Sequence, residues 1–134
     1  MIVVDTNLIA YLIIQGDRTA VAQSVLQRDN VWMAPPLWHS EFRNVLIGYL
    51  RRGILDISDV YLAMGKAQRL LQGREFDVPS LQVLTLAAQS QCSAYDCEFV
   101  ALAQLKRRKL ITFDKRILRE FPSVAIRPET FLSL

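Results

Sequence analysis

Four carboxylates, Asp5, Glu41, Asp96 and Asp114, are spread along a chain of 134 residues. Asp5 directly follows the apolar run Ile2-Val3-Val4, and Asp114 directly follows Leu110-Ile111-Thr112-Phe113. Both runs read as buried strands, so both acids are expected at the carboxyl edge of a sheet. Asp96 falls in the first turn of a helix expected from about Tyr95 to Arg108, and Glu41 early in one expected from Pro36 to Arg52. Helices that start at that same edge open their early residues toward one crevice. Carboxylates gathered there repel each other and push pKa values upward, and a divalent cation reverses that balance. An all-oxygen ligand set suits Mg²⁺ or Mn²⁺ and not zinc or copper. Such a cation can ionise a bound water and clamp a phosphodiester for in-line attack.

Each acid also has a plainer role. Asp5 and Asp114 can cap the helices that follow them, and Ser93-Ala94-Tyr95-Asp96 has capping-box spacing. Glu41 is harder to place that way. Leu37 and Val45, four residues to either side, set it within an apolar stripe, and no basic residue stands three or four positions away. A carboxylate on a buried face is costly unless compensated; the plainer alternative is a Glu at the stripe's edge, reaching solvent or a distant Arg. Other chemistries lack parts. With His39 as the only histidine and two cysteines, Cys92 and Cys97, no zinc site or Ser–His or Cys–His pair is expected. The cysteines fit no CxxC pattern and are expected to be free thiols. His39-Ser40-Glu41 has no P-C-x-x-C to complete a deaminase site, and Gly65-Lys66 is not a P-loop.

The elements that must carry these acids alternate. Helices are expected over Leu8–Ile14 and about Arg18–Arg28, then a strand over Val31–Met33. The long helix opened by Pro36 carries the stripe Trp38, Phe42, Val45, Tyr49, with Gly53 as its stop. Ser58 is expected to cap the next helix, striped by Val60, Met64, Ala67 and Leu71 and followed by Gly73. Phe76–Val78 is expected as a short extra strand, and Ser80 as the cap of a helix to about Gln91. After the Leu110–Phe113 strand come a short helix from Lys115 to Phe121, stopped by Pro122, and a last strand, Val124–Ile126. Short apolar strands alternating with helices imply a parallel sheet covered on both faces, with sites beyond the carboxyl ends of its strands.

Composition bounds the rest. The chain is 51% hydrophobic and 22% charged, which excludes a disordered chain and fits one domain over residues 1–134. A net charge of +3 does not by itself mark a nucleic-acid binder, although twelve of the 16 basic residues are Arg, the planar, phosphate-matching cation. Asp5 interrupts the N-terminal apolar run, and the longest uncharged stretch, Val78 to Tyr95, is rich in Gln, Ser and Thr. No leader or membrane span is therefore expected, and the expected location is cytoplasmic.

Taken in order, the motifs resemble those of the PIN domain family. Val3-Val4-Asp5-Thr6-Asn7 resembles its opening, Glu41 in Ser40-Glu41-Phe42-Arg43-Asn44-Val45-Leu46 its mid-chain acidic helix, Ser93-Ala94-Tyr95-Asp96 with Val100-Ala101-Leu102-Ala103 its "S-x-Y-D" segment, and Leu110-Ile111-Thr112-Phe113-Asp114 its closing "L-x-T-x-D". Cys97 stands where a small Ala is common. The resemblance spans essentially the whole chain, and its size resembles that of the VapC toxins of bacterial toxin–antitoxin systems. It implies a three-layer α/β/α fold with a parallel sheet of about five strands and a Mg²⁺- or Mn²⁺-dependent endoribonuclease. Asp5, Glu41, Asp96 and Asp114 would be the metal-binding acids, with Asn7, Ser93 and Thr112 as polar neighbours. It also implies a homodimer silenced by a cognate antitoxin. Arg116 and Arg119, close behind Asp114, and Arg43, two residues from Glu41, are candidates for steering RNA. Lys106-Arg107-Arg108-Lys109 is either a solvated helix end suited to the dipole or a contact to phosphate backbone. Two alternatives stand beside the nuclease: a binding module of the same fold without turnover, and a metal-dependent enzyme acting on DNA or small phosphates.

Overall fold

Ile2, Val3 and Val4 form the central strand β1 (Ile2–Val4) in a computed structural model that describes residues 1–134. β1 lies between β2 (Trp32–Met33) and β3 (Leu110–Ile111), with β4 (Ala125–Ile126) beyond β3, and all neighbours run parallel. Ile2 is paired with Trp32 and Val3 with Met33 on one side, Val3 with Leu110 and Val4 with Ile111 on the other. Parallel neighbours need crossovers, and the chain supplies them as helices. These are α1 (Thr6–Ile13), α2 (Thr19–Arg28), α3 (Trp38–Arg51), α4 (Ile57–Leu71), α5 (Ser80–Ala88), α6 (Ala94–Lys106), α7 (Lys115–Glu120) and α8 (Pro128–Leu132). The result is a three-layer α/β/α fold.

Burial explains why such short strands suffice. Val3, Val4, Trp32, Leu110 and Ile111 are wholly inaccessible, and Trp38, Phe42, Leu8 and Leu102 close over the sheet from the helices. Each buried aliphatic or aromatic side chain contributes roughly 1.5–3 kcal/mol. The ladder also runs past the strands: Ile2 N–H donates to Val31 O at 3.0 Å, Val3 N–H to Lys109 O at 3.0 Å, and Thr112 N–H to Ile126 O at 3.1 Å.

Most expected elements are present, with shifted ends. Gly53 and Gly73 follow α3 and α4 with φ of 73° and 76°, the left-handed geometry that ends helices and favours glycine. Three local expectations are corrected. The extra strand expected at Phe76–Val78 does not form, a single parallel bridge between Ala34 and Glu75 standing just before it, so the sheet has four strands. Asp56, not Ser58, caps α4, in a reciprocal box with Asp59; both acids meet the helix dipole favourably. Ser80 is the first residue of α5 and not its side-chain cap. A closing helix, α8, opened by Pro128, adds to the expected elements.

The topology decides where a crevice opens. From β1 the chain crosses to β2 on one side; after α3 to α6 it returns to β3 on the other. The winding reverses between β1 and β3, and at such a switch point the helices diverge beyond the carboxyl ends of the strands.

Candidate active site

Asp5 and Asp114 stand on either side of that switch point, each as the N-cap of the helix that follows its strand. Asp5 Oδ1 accepts from Leu8 N–H at 2.9 Å, and Asp114 Oδ1 accepts from Ile117 N–H at 2.9 Å. The plain capping role and a place in the crevice are therefore held by the same residues. One oxygen of each carboxylate is tied to a helix start, whose dipole favours negative charge.

Thr112, fully buried at the end of β3, links the two acids. Its hydroxyl donates to Asp5 Oδ2 and accepts from Asp114 N–H at 2.9 Å. Asp5 is only 8% exposed. Burial pushes its carboxyl from an ordinary 3.8 up to about 6, against the pull of the Thr112 and Leu8 hydrogen bonds, with Asp114 and Glu41 adding like-charge repulsion.

Glu41, in the first turn of α3, is half-buried at the edge of the Trp38–Phe42–Leu46 face that enters the core. No basic side chain pairs with it. Thr6 Oγ1 donates to its Oε1 at 2.7 Å. Burial raises the Glu41 carboxyl, the Thr6 bond opposes that, and repulsion from Asp96 adds to it. Asp96, in the first turn of α6, is placed by Ser93, whose hydroxyl accepts from Asp96 N–H at 3.0 Å. Only this half of the expected capping box forms, which leaves the Asp96 carboxylate free of Ser93.

All four acids line one cleft of about 240 Å³, together with Thr6, Asn7, Asn44, Val45, Phe99 and Ile117. No Lys, Arg or His lines it, and none of the chain's ion pairs involves these carboxylates. The acids stand on the walls without closing on one point: nowhere do three His, Cys, Asp or Glu side chains form a finished ion cage. The donor set is nevertheless all oxygen and uncompensated by any protein cation. That chemistry fits a hard divalent ion held partly through water.

The other sequence candidates divide. Asn7 is exposed on the cleft wall, and Thr112 lies beneath it. Ser93 is a helix cap and does not reach the lining. Arg43 faces away, walling an apolar hollow with Leu46, Ile47, Val60, Tyr61 and Met64. Arg116 and Arg119 are exposed on α7, outside the lining. Two residues were missed. Thr6 was legible as a hydroxyl beside Asp5 in the first turn of α1, and Asn44 as the residue one helical turn beyond Glu41. Glu98 is a further half-buried acid near Glu41, its carboxyl raised by burial and then by Glu41, but it opens on a neighbouring hollow with Val78 and Leu84. Cys92 and Cys97 are free, and burial pushes both thiols up, Cys92 to about 11, so they remain protonated. His39 is held at the surface by Glu75, which also accepts from Trp38 Nε1. No helix is long and apolar enough to cross a membrane.

Comparison with known proteins bears on the family and the fold. A family model described as PIN domain matches residues 2–123. A relative named ribonuclease VapC3, from Pyrobaculum aerophilum, is 25% identical over 126 residues, spanning 92% of this chain and 96% of the relative. A crystal structure of PAE2754 from Pyrobaculum aerophilum superposes with a TM-score of 0.76 at 22% identity, covering 98% of this chain and 92% of that one. A toxin–antitoxin complex from Klebsiella pneumoniae gives a TM-score of 0.67 at 18% identity, over 96% and 98% of the two chains. These two likenesses are likenesses of fold.

Proposed function

The chain belongs to the PIN domain family, and from that premise we propose that it is a Mg²⁺- or Mn²⁺-dependent endoribonuclease, the toxin of a toxin–antitoxin pair. The observation that carries this reading is the cleft at the β1–β3 switch point. Four carboxylates from distant parts of the chain line it with no basic side chain among them, and one is raised to about 6. Asp5, Glu41, Asp96 and Asp114 would hold the cation. When bound, such an ion lowers the pKa of water and neutralises charge developing on a phosphodiester.

The protein's own part is to hold these oxygens in place. Thr112 and the Leu8 amide fix both oxygens of Asp5, and Thr6 fixes one of Glu41, so neither carboxylate can turn away to relieve the repulsion. The Asn7 and Asn44 amides at the cleft wall can donate to phosphate oxygens. The relative named ribonuclease VapC3 and the fold shared with a toxin–antitoxin complex support RNA as substrate and an antitoxin as partner. Assembly as a homodimer is part of the same proposal.

The test is RNA cleavage with Mn²⁺, with EDTA, and with Asp5→Asn and Asp96→Asn, alongside expression of each form in cells. Cleavage is expected only with the metal, to fall at least ~100-fold in both variants, and growth arrest is expected from the parent alone. Intact cleavage in EDTA, or variants as fast as the parent, would overturn the metal mechanism. Metal binding without turnover would favour the non-catalytic module.

A further inference from the structure

The cleft poses a problem for a polyanionic substrate. It concentrates four carboxylates, and even a dication leaves their sum short of neutral, so attraction for RNA must come from the surroundings. Arg116 and Arg119 on α7, and Arg107, Arg108 and Lys109 between α6 and β3, are exposed, and no ion pair of the chain involves them. Glu120, the one acid on α7, is turned toward the backbone N–H of Gln91, which donates to its Oε1 at 2.6 Å. Arg116 and Arg119 are three residues apart and share one side of α7.

α7 joins the two ends of this set. It starts at Asp114 in the cleft, and the turn after it returns to Ser123, whose carbonyl accepts from Lys109 Nζ at 2.9 Å. Arg107, Arg108, Lys109 and Ser123 wall a hollow of about 220 Å³ at the amino edge of the sheet. Along α6, Arg107 lies about 17 Å from Asp96, at 1.5 Å per residue.

Hydrogen-bond capping of α6 does not call for the Arg107 side chain. The end of α6 is closed by backbone alone: Arg107 N–H donates to Gln104 O at 3.2 Å and Arg108 N–H to Ala103 O at 3.0 Å. Arg107 has a φ of 53° and is the only non-glycine residue of the chain at positive φ. Glycine is the favoured residue at such a position. An arginine therefore occupies a strained backbone position where the cap itself needs no side chain.

We propose that α7 and the 107–109 turn form a track for the phosphate backbone of RNA flanking the scissile bond, leading from Asp114 to the opposite edge of the sheet. The proposal rests on the ribonuclease reading and adds where a long substrate lies. Only an RNA that extends well beyond the cleaved bond reaches the far end.

The experiment compares an RNA of ~20 nucleotides with one of ~6, lengths chosen against typical single-strand site sizes, for the parent and for Arg107→Gly/Arg108→Gln. Glycine at 107 relieves the left-handed strain, so thermal unfolding should occur no lower than in the parent. In EDTA, the double variant should bind the long RNA ~10-fold more weakly at low salt. Its slope of log affinity on log salt should be shallower by about 1.4, the loss of two single-strand phosphate contacts. The short RNA should bind equally to both forms and, with Mn²⁺, be cleaved at equal rates. Equal binding of the long RNA by both forms would overturn the track and leave the basic turn to an acidic protein partner. Equal losses on both lengths would also overturn it. Failure of the ribonuclease reading would look different: the parent itself would cleave neither RNA.

Discussion

At the carboxyl edge of the sheet, charge is buried and crowded; at the amino edge it is exposed to solvent. Asp5 is 8% exposed and shares its cleft with three other carboxylates, whereas Arg107, Arg108 and Lys109 stand in solvent. The two arrangements differ in cost. Crowded, desolvated carboxylates destabilise the fold at neutral pH, so their placement calls for a compensating partner. Exposed cations cost little and stabilise little. Substitutions at the acidic edge should therefore change stability and activity together. Those at the basic edge should leave the fold intact and alter only long-range attraction.

The largest effect expected from this contrast is a pH dependence of unusual sign. The Asp5 carboxyl titrates at 3.8 ordinarily and at about 6 in the fold. Between those values the unfolded chain has released the proton while the folded protein still binds it, so stability falls as pH rises. The loss is about 3 kcal/mol between roughly pH 4 and pH 6, and the raised Glu41 adds in the same direction. Urea unfolding of chelator-treated protein should show it, Asp5→Asn should flatten it, and Mn²⁺ at pH 8 should recover it. A metal-free protein that gains stability across that window would remove the distinction between the two edges.

A smaller effect is expected at Thr112. Thr112→Val leaves Asp114 N–H without its acceptor and removes the bond that restrains Asp5. Unfolding free energy should drop by about 1–3 kcal/mol. Cleavage should fall ~10- to 100-fold, with the acid limb of its pH profile moved upward. An unmoved acid limb would show that Thr112 only packs.

The smallest effect is expected at the basic edge, where Arg107→Gly alone should raise stability by between zero and about 1 kcal/mol. The relief of positive φ is partly offset by the entropy of glycine. A clear loss of stability there would mean that the Arg107 side chain supports the fold.

The acids were legible because each sits at a fixed offset from a recognisable element. Asp5 and Asp114 directly follow apolar runs, and Asp96 lies three residues after a serine cap. Glu41 was legible as an unpaired carboxylate within an apolar stripe. Thr6 and Asn44 were harder to find, because a hydroxyl or an amide on a helix has many ordinary uses, and only the cleft lining distinguishes these two. Arg43 shows the reverse. Two residues along a helix is more than half a turn, so despite its closeness to Glu41 in sequence it walls a different hollow. The fifth strand failed because Phe76–Val78 has the composition of a strand but forms no bridge, the one pairing in that region being at Glu75, just before it.

Local chemistry thus settled which residues end strands, cap helices or break them, since those choices depend on neighbours a few positions away. Which side chains share a cleft was settled by crossover order: β3 lies beside β1 and not beside β2, and that brings Asp114 within reach of Asp5 across more than a hundred residues. The same packing sent the basic turn to the opposite edge. No spacing along the chain encodes such distances, because they arise from how whole elements bury their apolar faces against one another.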